Sequence, residues 1–213
     1  PQASRLDGVD CERCIGDITD PRTLAGAFAG VHTVYHLAAV ILAGDPRVFR
    51  RVNVEGTRNV LAAARDAGVE HLVYVSSASV IYPRPTPYSL SKRAAERLVR
   101  RQSRPAWTIV RPTLVYERDG GQEFALFRSY LKRFPVVPFI GDGRARKSPV
   151  LADDLIAGLA ALAGNSKAHG KTYNLCGGDE ITIGELARLI LTTEGLRRPF
   201  VHRRHQERRG IGR

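Results

Sequence analysis

Leu72-Val-Tyr-Val75, then Ser76-Ser77, then Tyr88-Ser-Leu-Ser-Lys92 is the stretch on which the reading of this chain turns. The apolar run 72–75, β-branched and aromatic, reads as a short buried strand. Residues 87–102 carry helical spacing. Tyr88 and Lys92, four apart, therefore share one helix face about one turn from each other. An ammonium held close to a phenol favours the phenolate and lowers the Tyr pKa from its reference near 10. A Tyr tuned in this way passes a proton to or from a substrate oxygen near neutral pH. A Ser at the carboxyl end of the preceding strand can hydrogen-bond the same oxygen. The trio suits alcohol–carbonyl interconversion, in which a cofactor carries the hydride and the protein handles the proton. Tyr and Lys at this spacing also occur as plain surface pairs. The weight comes from position, after a strand and Ser-Ser and on an amphipathic helix.

Outward from that stretch, strand-like and helix-like segments alternate. Residues 9–15 read as a strand. Asp20-Pro21 pairs an N-cap with Pro at the first helical position, and Gly30 closes that short helix. Residues 31–37 read as a strand, and Asp45-Pro46 opens a long helix that stops at Gly68. Residues 107–110 form a strand ended by Arg111-Pro112. Beyond it come a helix over 121–133, a Pro/Gly-punctuated loop or short strand over 134–143, and a helix over 152–163. Asp153 and Asp154 stand in the first turn of that helix, where the dipole favours acids. A strand over 171–176 follows, and Thr182-Ile-Gly-Glu185 is a capping box opening a last helix to residue 193. This alternation argues for an α/β fold with a parallel sheet covered on both faces.

The chain of 213 residues fits one domain, or one domain with a small lobe. Its 43% hydrophobic and 25% charged content is ordinary for a globular protein, and no apolar run approaches the length of a membrane span. It begins at Pro1 and contains no Met, which reads as a trimmed or partial chain. Cys11-Glu-Arg-Cys14 has no second pair to complete a metal site, so no metal is expected. Lying in the expected strand 9–15, the two are read as buried or half-buried free thiols in a reducing, cytoplasmic setting. Of the net charge of +12, half sits in residues 197–213, where seven Arg face one Glu. No nucleic-acid motif accompanies that run, so it reads as a solvated, disordered tail rather than a nucleic-acid arm.

An ordered set of short motifs adds to these residues. Gly16-Asp-Ile-Thr-Asp20 is followed by Val34-Tyr-His-Leu-Ala-Ala39, Asn53-Val-Glu-Gly-Thr-Arg-Asn-Val60 and Val75-Ser-Ser-Ala-Ser-Val80. After Tyr88 and Lys92 come Val110-Arg-Pro-Thr-Leu-Val-Tyr116, Gly141-Asp-Gly143, Pro149-Val-Leu-Ala-Asp-Asp154 and Tyr173-Asn-Leu175. In this order, over about residues 8–195, the set resembles the extended short-chain dehydrogenase/reductase family, the NAD-dependent epimerase/dehydratase group. The resemblance implies a Rossmann-like doubly wound sheet over residues 1–113, N-terminally truncated. It implies a C-terminal substrate-binding lobe over 114–196, interleaved with the last sheet strand. The family's Gly-rich turn and first two strands would lie before Pro1, by about 30 residues for one βαβ unit. Their loss would leave strand 9–15 without a neighbour and expose the edge of 31–37. The chain alone is therefore expected to fold poorly and to bind dinucleotide weakly.

The resemblance also implies roles. Tyr88 is the general acid/base, Lys92 tunes it and contacts the nicotinamide ribose, and Ser77 orients substrate, with Ser76 as fallback. Asp17 and Ile18 touch the adenine, and Leu37, Ala38 and Ala39 floor the cofactor. Pro112 and Thr113 approach the nicotinamide amide, and Val75 is a further cofactor-binding residue. NAD is the expected cofactor, with NADP as the alternative. Arg146 and Lys147, near Arg144, match a place where sugar-nucleotide relatives hold a diphosphate with an Arg. Here, however, the residues read Arg-Lys-Ser-Pro, and the gap from Ser77 to Tyr88 is shorter than in most sugar epimerases. Asn53 is read as a structural hydrogen-bonding group at least as much as a direct participant, and His36 as structural. The implied function is an epimerase, dehydratase or dehydrogenase acting on a hydroxyl or carbonyl of a nucleotide-sugar-like small molecule, with a homodimer left open. A small-molecule carbonyl or hydroxysteroid reductase, and a non-catalytic NAD(P)-binding or assembly subunit, are the alternatives.

Overall fold

The computed structural model describes residues 6–117, 122–140 and 142–203. Within them the chain forms two compact units. The first takes residues up to Ser76, then Val80–Ile109 and Ser166–Lys171; the second takes Ser77–Ser79, Val110–Asn165 and Thr172 onward.

The first unit is built on β1 (Thr33–His36) and β2 (His71–Val75), parallel, with Val34 opposite Leu72 and His36 opposite Tyr74. Between them run α1 (Pro46–Phe49), a π-helical stretch over Arg50–Gly56, and α2 (Thr57–Asp66). Asp45 caps α1, its carboxylate accepting from the Arg47 N–H at 2.9 Å. Gly68, at φ 72°, ends α2, and the Val69 N–H reaches back to the Ala64 carbonyl at 2.9 Å, the geometry of a Schellman stop. After β2 come α3 (Pro87–Arg100) and β3 (Ala106–Pro112). In the central sheet the strand order is β1-β2-β3-β8, where β8 is Lys171–Leu175. This is a Rossmann-like parallel sheet with flanking helices. β1 is its edge strand among the described residues.

The helical faces explain the packing. α2 turns Val60, Leu61 and Ala64 inward, and α3 turns Ala95 and Val99 inward, onto Leu72, Tyr74 and Ile109 of the strands. Spacing of three and four is what one apolar helical stripe requires. Leu24 and Phe28 join the same core from two 3₁₀ turns, Pro21–Thr23 and Ala25–Phe28, where the sequence suggests one short helix. Ile18 packs so closely on the helix that a Cβ added at Gly56 would meet Ile18 Cδ1 at 2.7 Å.

One expected element is absent. Residues 9–15 form no strand; they lie exposed, and Ile15 has its full surface in solvent. A strand exists through its ladder, and no described strand pairs with this segment. Cys11 and Cys14 are consequently exposed thiols, not buried ones, and Cys176 is exposed too.

The second unit contains β4 (Val115–Tyr116), α4 (Gln122–Arg133), β5 (Val137–Ile140), β6 (Arg146–Lys147), β7 (Val150–Leu151), α5 (Ala152–Ala160), β9 (Ile181–Thr182), α6 (Ile183–Thr193) and β10 (Phe200–Arg203). β4 pairs with β7 and β5 with β10, both parallel, and β6 pairs antiparallel with β9. The expected capping box holds: Thr182 Oγ1 accepts from the Glu185 N–H at 3.1 Å, and the Glu185 carboxylate accepts from the Thr182 N–H at 2.9 Å. Leu131 and Val137 bury against Leu186, Ala187, Ile190 and Leu191. β10 corrects the expected tail. Phe200 and its neighbours add a strand beside β5, where the backbone has a ladder and the Phe200 side chain an apolar cluster to join. Residues 204–213 of that tail, and Gly141 of the Gly-Asp-Gly motif, lie outside the described residues.

His71 on β2 is buried, with Nε2 2.8 Å from Thr108 Oγ1, whose own proton goes to the Ala168 carbonyl at 2.7 Å. The ring therefore presents Nε2–H, and its Nδ1 is buried without a partner among the described residues. Burial, then His169 and His32, push His71 down to about 4. Its unfolded form takes a proton near 6.5. The stability this histidine contributes is therefore complete above about pH 6.5 and is lost as pH falls towards 4. The denaturant midpoint should decline between pH 7 and pH 5, and a flat midpoint over that window would contradict the buried neutral histidine. Leu72→Ala should cost about 2–5 kcal/mol. Ile15→Ala, in the exposed segment, should change urea stability by less than about 0.5 kcal/mol.

Candidate active site

The first unit concentrates polar side chains where apolar ones are the rule. Ser89, Ser91, Lys92 and Glu96 of α3 are all buried, on the face that also carries Ala95 and Val99. The helix starts at Thr86, whose Oγ1 accepts from the Ser89 N–H at 3.1 Å while Ser89 Oγ accepts from the Thr86 N–H at 2.8 Å. This reciprocal cap fixes the first turn and with it Tyr88. The expected start at Pro87 is right, but the cap is illegible by the usual pattern because Ser stands where Glu or Gln is sought.

Lys92 is 2% exposed. Its ammonium donates to the Val75 carbonyl at 2.7 Å and lies 4.3 Å from the centre of the Tyr74 ring. Burial pushes this amine down to about 7, and the Glu96 charge opposes that shift. Tyr74 is wholly buried, and burial raises its phenol above the usual range. Its hydroxyl has no partner in hydrogen-bond geometry among the described residues, although Thr57 lies beside it. Tyr88 is half-buried and meets Phe49 edge-on, with ring centres 6.3 Å apart. Ser76 Oγ donates to Glu96 Oε1 at 2.7 Å, and Glu96 Oε2 accepts from Arg100 at 3.3 Å.

A second chain of bonds ties β1 to the helices. Thr57 donates its hydroxyl proton to the Asn53 carbonyl at 2.8 Å, so His36, 2.9 Å away, must supply Nε2–H to Thr57. Burial and the nearby Lys92 charge drive His36 down to about 3. It is neutral throughout the physiological range and serves structure. Asn53 is fully engaged: Oδ1 accepts from the Val40 N–H at 2.8 Å, and Nδ2 donates to the Val40 carbonyl at 2.9 Å and to Ser91 Oγ at 2.9 Å. Asn53 is thus a clamp, in the manner of one strand pairing with another, on the loop that follows β1. That loop carries Leu37 and Ala38, both exposed, and Ala39, half-buried.

The remaining expected residues divide between the units. In the first, the exposed Asp17 carboxylate accepts from Thr19 N–H at 2.8 Å and Thr19 Oγ1 at 2.9 Å, which hold it below its ordinary pKa. Ile18 is used for packing on Gly56, and its carbonyl takes a bond from Asn59 at 2.8 Å. Val75, Tyr88 and Lys92 belong to the same unit. In the second unit Ser77 Oγ lies 2.9 Å from Ser79 Oγ. Pro112 is buried, and Thr113 Oγ1 donates to the Ser148 carbonyl at 2.5 Å. Arg146 is exposed and pairs with Glu180 at 2.7 Å, with Lys147 beside it on β6. Sequence reading missed Tyr74, Ser76 as a partner of α3, Ser91 and above all Glu96. The available signal was Glu96 standing four residues after Lys92 on a helix face that otherwise reads as apolar.

Comparisons with known proteins show which family this chain belongs to. A family model described as the NAD dependent epimerase/dehydratase family matches residues 1–176. The chain is 27% identical to the 4-hydroxy-2-methyl-3-oxo-4-farnesyl-3,4-dihydroquinoline-1-oxide ketoreductase of Stigmatella aurantiaca, over 92% of this chain and 64% of that one. It is 32% identical to the 3 beta-hydroxysteroid dehydrogenase/Delta 5-->4-isomerase of Mycobacterium tuberculosis (strain CDC 1551 / Oshkosh), over 86% of this chain and 58% of the relative. It thus spans less than two thirds of the length of either curated relative. Among solved structures it resembles the DesIV double mutant (dTDP-glucose 4,6-dehydratase) of Streptomyces venezuelae with NAD bound, with a TM-score of 0.81 and 28% identity, covering 95% of this chain and 70% of the other. With the α/β fold, the Tyr88–Lys92 helix and a match over most of its residues, the chain belongs to the NAD dependent epimerase/dehydratase family.

Proposed function

We propose that this chain carries the proton-handling machinery of an NAD(P)-dependent oxidoreductase or epimerase acting on a secondary alcohol or ketone. The observation that carries this reading is the Lys92 ammonium, buried one helical turn from Tyr88 and held on the Val75 carbonyl. A cation is expensive to bury and poor as packing, so its burial on a core helix points to chemistry.

The residues present fit a dinucleotide. Leu37 and Ala38 leave small or apolar surface uncovered just past the carboxyl end of β1, the side of an open parallel sheet where such ligands lie. Leu37, Ala38 and Ala39 would floor it, Asp17 and Ile18 would face its adenine end, and Val75 and Lys92 its ribose. By the family resemblance alone, Pro112 and Thr113 are assigned to its amide. When bound, the dinucleotide supplies hydride acceptance and return. NAD is the reading taken from the family, with NADP as the alternative.

In the oxidative direction Tyr88 takes the substrate hydroxyl proton while the carbon gives up hydride. Lys92 stabilises the phenolate form of Tyr88 that can do so. Ser77, whose hydroxyl lies 2.9 Å from Ser79 Oγ, is assigned by the family resemblance to orient the substrate oxygen. In the reductive direction the Tyr88 proton goes to the carbonyl oxygen as hydride arrives at carbon.

For substrate, the nucleotide-sugar reading assigns Arg146 and Lys147 to a diphosphate. A second reading, a small-molecule ketone or hydroxysteroid reductase, is favoured by one feature. Arg146 already has the Glu180 carboxylate at 2.7 Å, which a diphosphate would have to displace. The pair is exposed and so worth about 1 kcal/mol or less, but its carboxylate is a like charge to the proposed ligand.

Tyr88→Phe in the full-length protein should lower kcat by about 10²–10⁴-fold while dinucleotide binding, read by NADH fluorescence, persists. Unchanged turnover would remove Tyr88 from the reaction, and dinucleotide binding without turnover in the unsubstituted protein would favour the non-catalytic binding or assembly subunit. Arg146→Ala discriminates the substrates. A rise in KM of about tenfold or more for a nucleotide diphosphate sugar supports the sugar reading, whereas an unaffected KM for a hydrophobic ketone supports the reductase.

A further inference from the structure

The carboxyl end of β2 is tied to α3 at two successive residues by two successive turns. Lys92 Nζ donates to the Val75 carbonyl at 2.7 Å, and one turn later Glu96 Oε1 accepts from Ser76 Oγ at 2.7 Å. Lys92 and Glu96 are 2% and 3% exposed. A buried carboxylate survives in a fold only when it is hydrogen-bonded and charge-compensated. Ser76 supplies the hydrogen bond, and Arg100 at 3.3 Å and Lys92 supply the charge. The pair Lys92–Glu96 has the spacing at which helical side chains meet. Ser76 in turn immediately precedes Ser77.

We propose that Glu96 is a positioning residue for the reaction: it provides the buried countercharge that keeps Lys92 an ammonium. Through Ser76 it also fixes the strand end whose Val75 carbonyl holds that ammonium. This rests on the proton-transfer role proposed for Tyr88 and Lys92. The groups that bear on the Lys92 charge are the Val75 carbonyl and the Tyr74 ring of β2, His36 of β1 and Glu96 of α3, with Arg100 paired to Glu96. His36 is neutral, the Tyr74 phenol stays protonated, and the Arg100 guanidinium is a further cation. Glu96 is thus the carboxylate of the set. Burial alone works against the Lys92 charge, and Glu96 opposes that effect. Removing the Glu96 charge should therefore let Lys92 lose its proton at a lower pH and move the alkaline limb of the kcat profile the same way.

Glu96→Gln in the full-length protein keeps the shape and an acceptor for Ser76 but removes the charge. The direct readout is a titration of lysine ¹³Cε resonances, with the Lys92 signal assigned by its loss in Lys92→Arg. This chain holds only five lysines, Lys92, Lys132, Lys147, Lys167 and Lys171, so the spectrum is simple. The Lys92 midpoint should fall by about one pH unit, a tenfold gain in neutral amine, with the alkaline limb of kcat following it. Glu96→Asp should recover most of the shift. A lower melting temperature with an unmoved Lys92 midpoint would reduce Glu96 to packing and overturn the proposal. If Glu96→Gln does not fold, Ser76→Ala tests the other half: with the strand-end tie removed, kcat should fall several-fold and the Lys92 midpoint should fall with it, and an unmoved midpoint overturns it. The NMR midpoint is read without turnover. A Tyr88→Phe protein that stays active would therefore remove the proposed reaction while leaving the Lys92–Glu96 coupling measurable.

Discussion

An ammonium taken out of water is the constraint around which the first unit is organised. Lys92 has lost nearly all its hydration, and several kcal/mol of solvation must be replaced by the protein. The replacement comes from three directions: a carbonyl at the end of β2, the face of Tyr74, and the charge of Glu96. Each depends on α3 lying on β2 in one register. Ala95 and Val99 secure that register by burying beside the charged pair. A slip of one residue along the helix would turn Lys92 by about 100° and leave it with the cost and none of the partners. Apolar packing and polar chemistry here enforce the same arrangement.

The second network meets a similar demand with neutral groups. His36, Thr57 and Asn53 pass hydrogen bonds in one direction, and Asn53 ends the chain by holding both backbone groups of Val40. The π-helical stretch over Arg50–Gly56 is what carries Asn53. Irregular helical turns of this kind cost regular hydrogen bonding and recur at functional sites. Here the irregularity lets one amide reach the loop after β1 and Ser91 of α3 together. His36 is part of this scaffold: a histidine held near 3 carries no charge at any working pH and so cannot share the proton traffic assigned to Tyr88.

Much of this was legible in the sequence, for identifiable reasons. Strand β2 and helix α3 announce themselves through period and through Pro87 at the helix start, and Gly68 and Thr182 punctuate as their chemistry requires. The long helix was legible in extent but not in its π turn, because the apolar period tolerates one extra residue per turn. Residues 9–15 misled because alternation of apolar and polar residues is necessary for a half-buried strand but not sufficient. A ladder partner and a core face are also needed, and the described residues provide neither. The short strands of the second unit, β4, β6, β7, β9 and β10, are two to four residues long, too brief for any period to register. For the candidate site, Tyr88 and Lys92 were visible as a motif. Glu96 and Ser76 were not, because a charge on a helix reads as solvent-facing unless the opposite face is known to be exposed.

Burial also separates what such a chain can change from what it cannot. Lys92, Glu96, Asn53 and His36 are each partnered inside a core, where removing one member strands another without its hydrogen bond or countercharge. Substitution there costs both stability and chemistry. Arg146 and Glu180 pair in solvent, where substitution costs little. The relatives reported above are described as a ketoreductase, a steroid dehydrogenase/isomerase and a sugar dehydratase, yet they share this family's frame. The physical asymmetry accounts for that range. The residues proposed to handle the proton are held by an interdependent buried network that admits few alternatives, while Arg146, proposed to meet substrate, sits exposed on the two-residue strand β6. The core of this chain therefore argues for its fold and for the proposed reaction type, whereas exposed positions such as Arg146 are energetically free to vary with substrate.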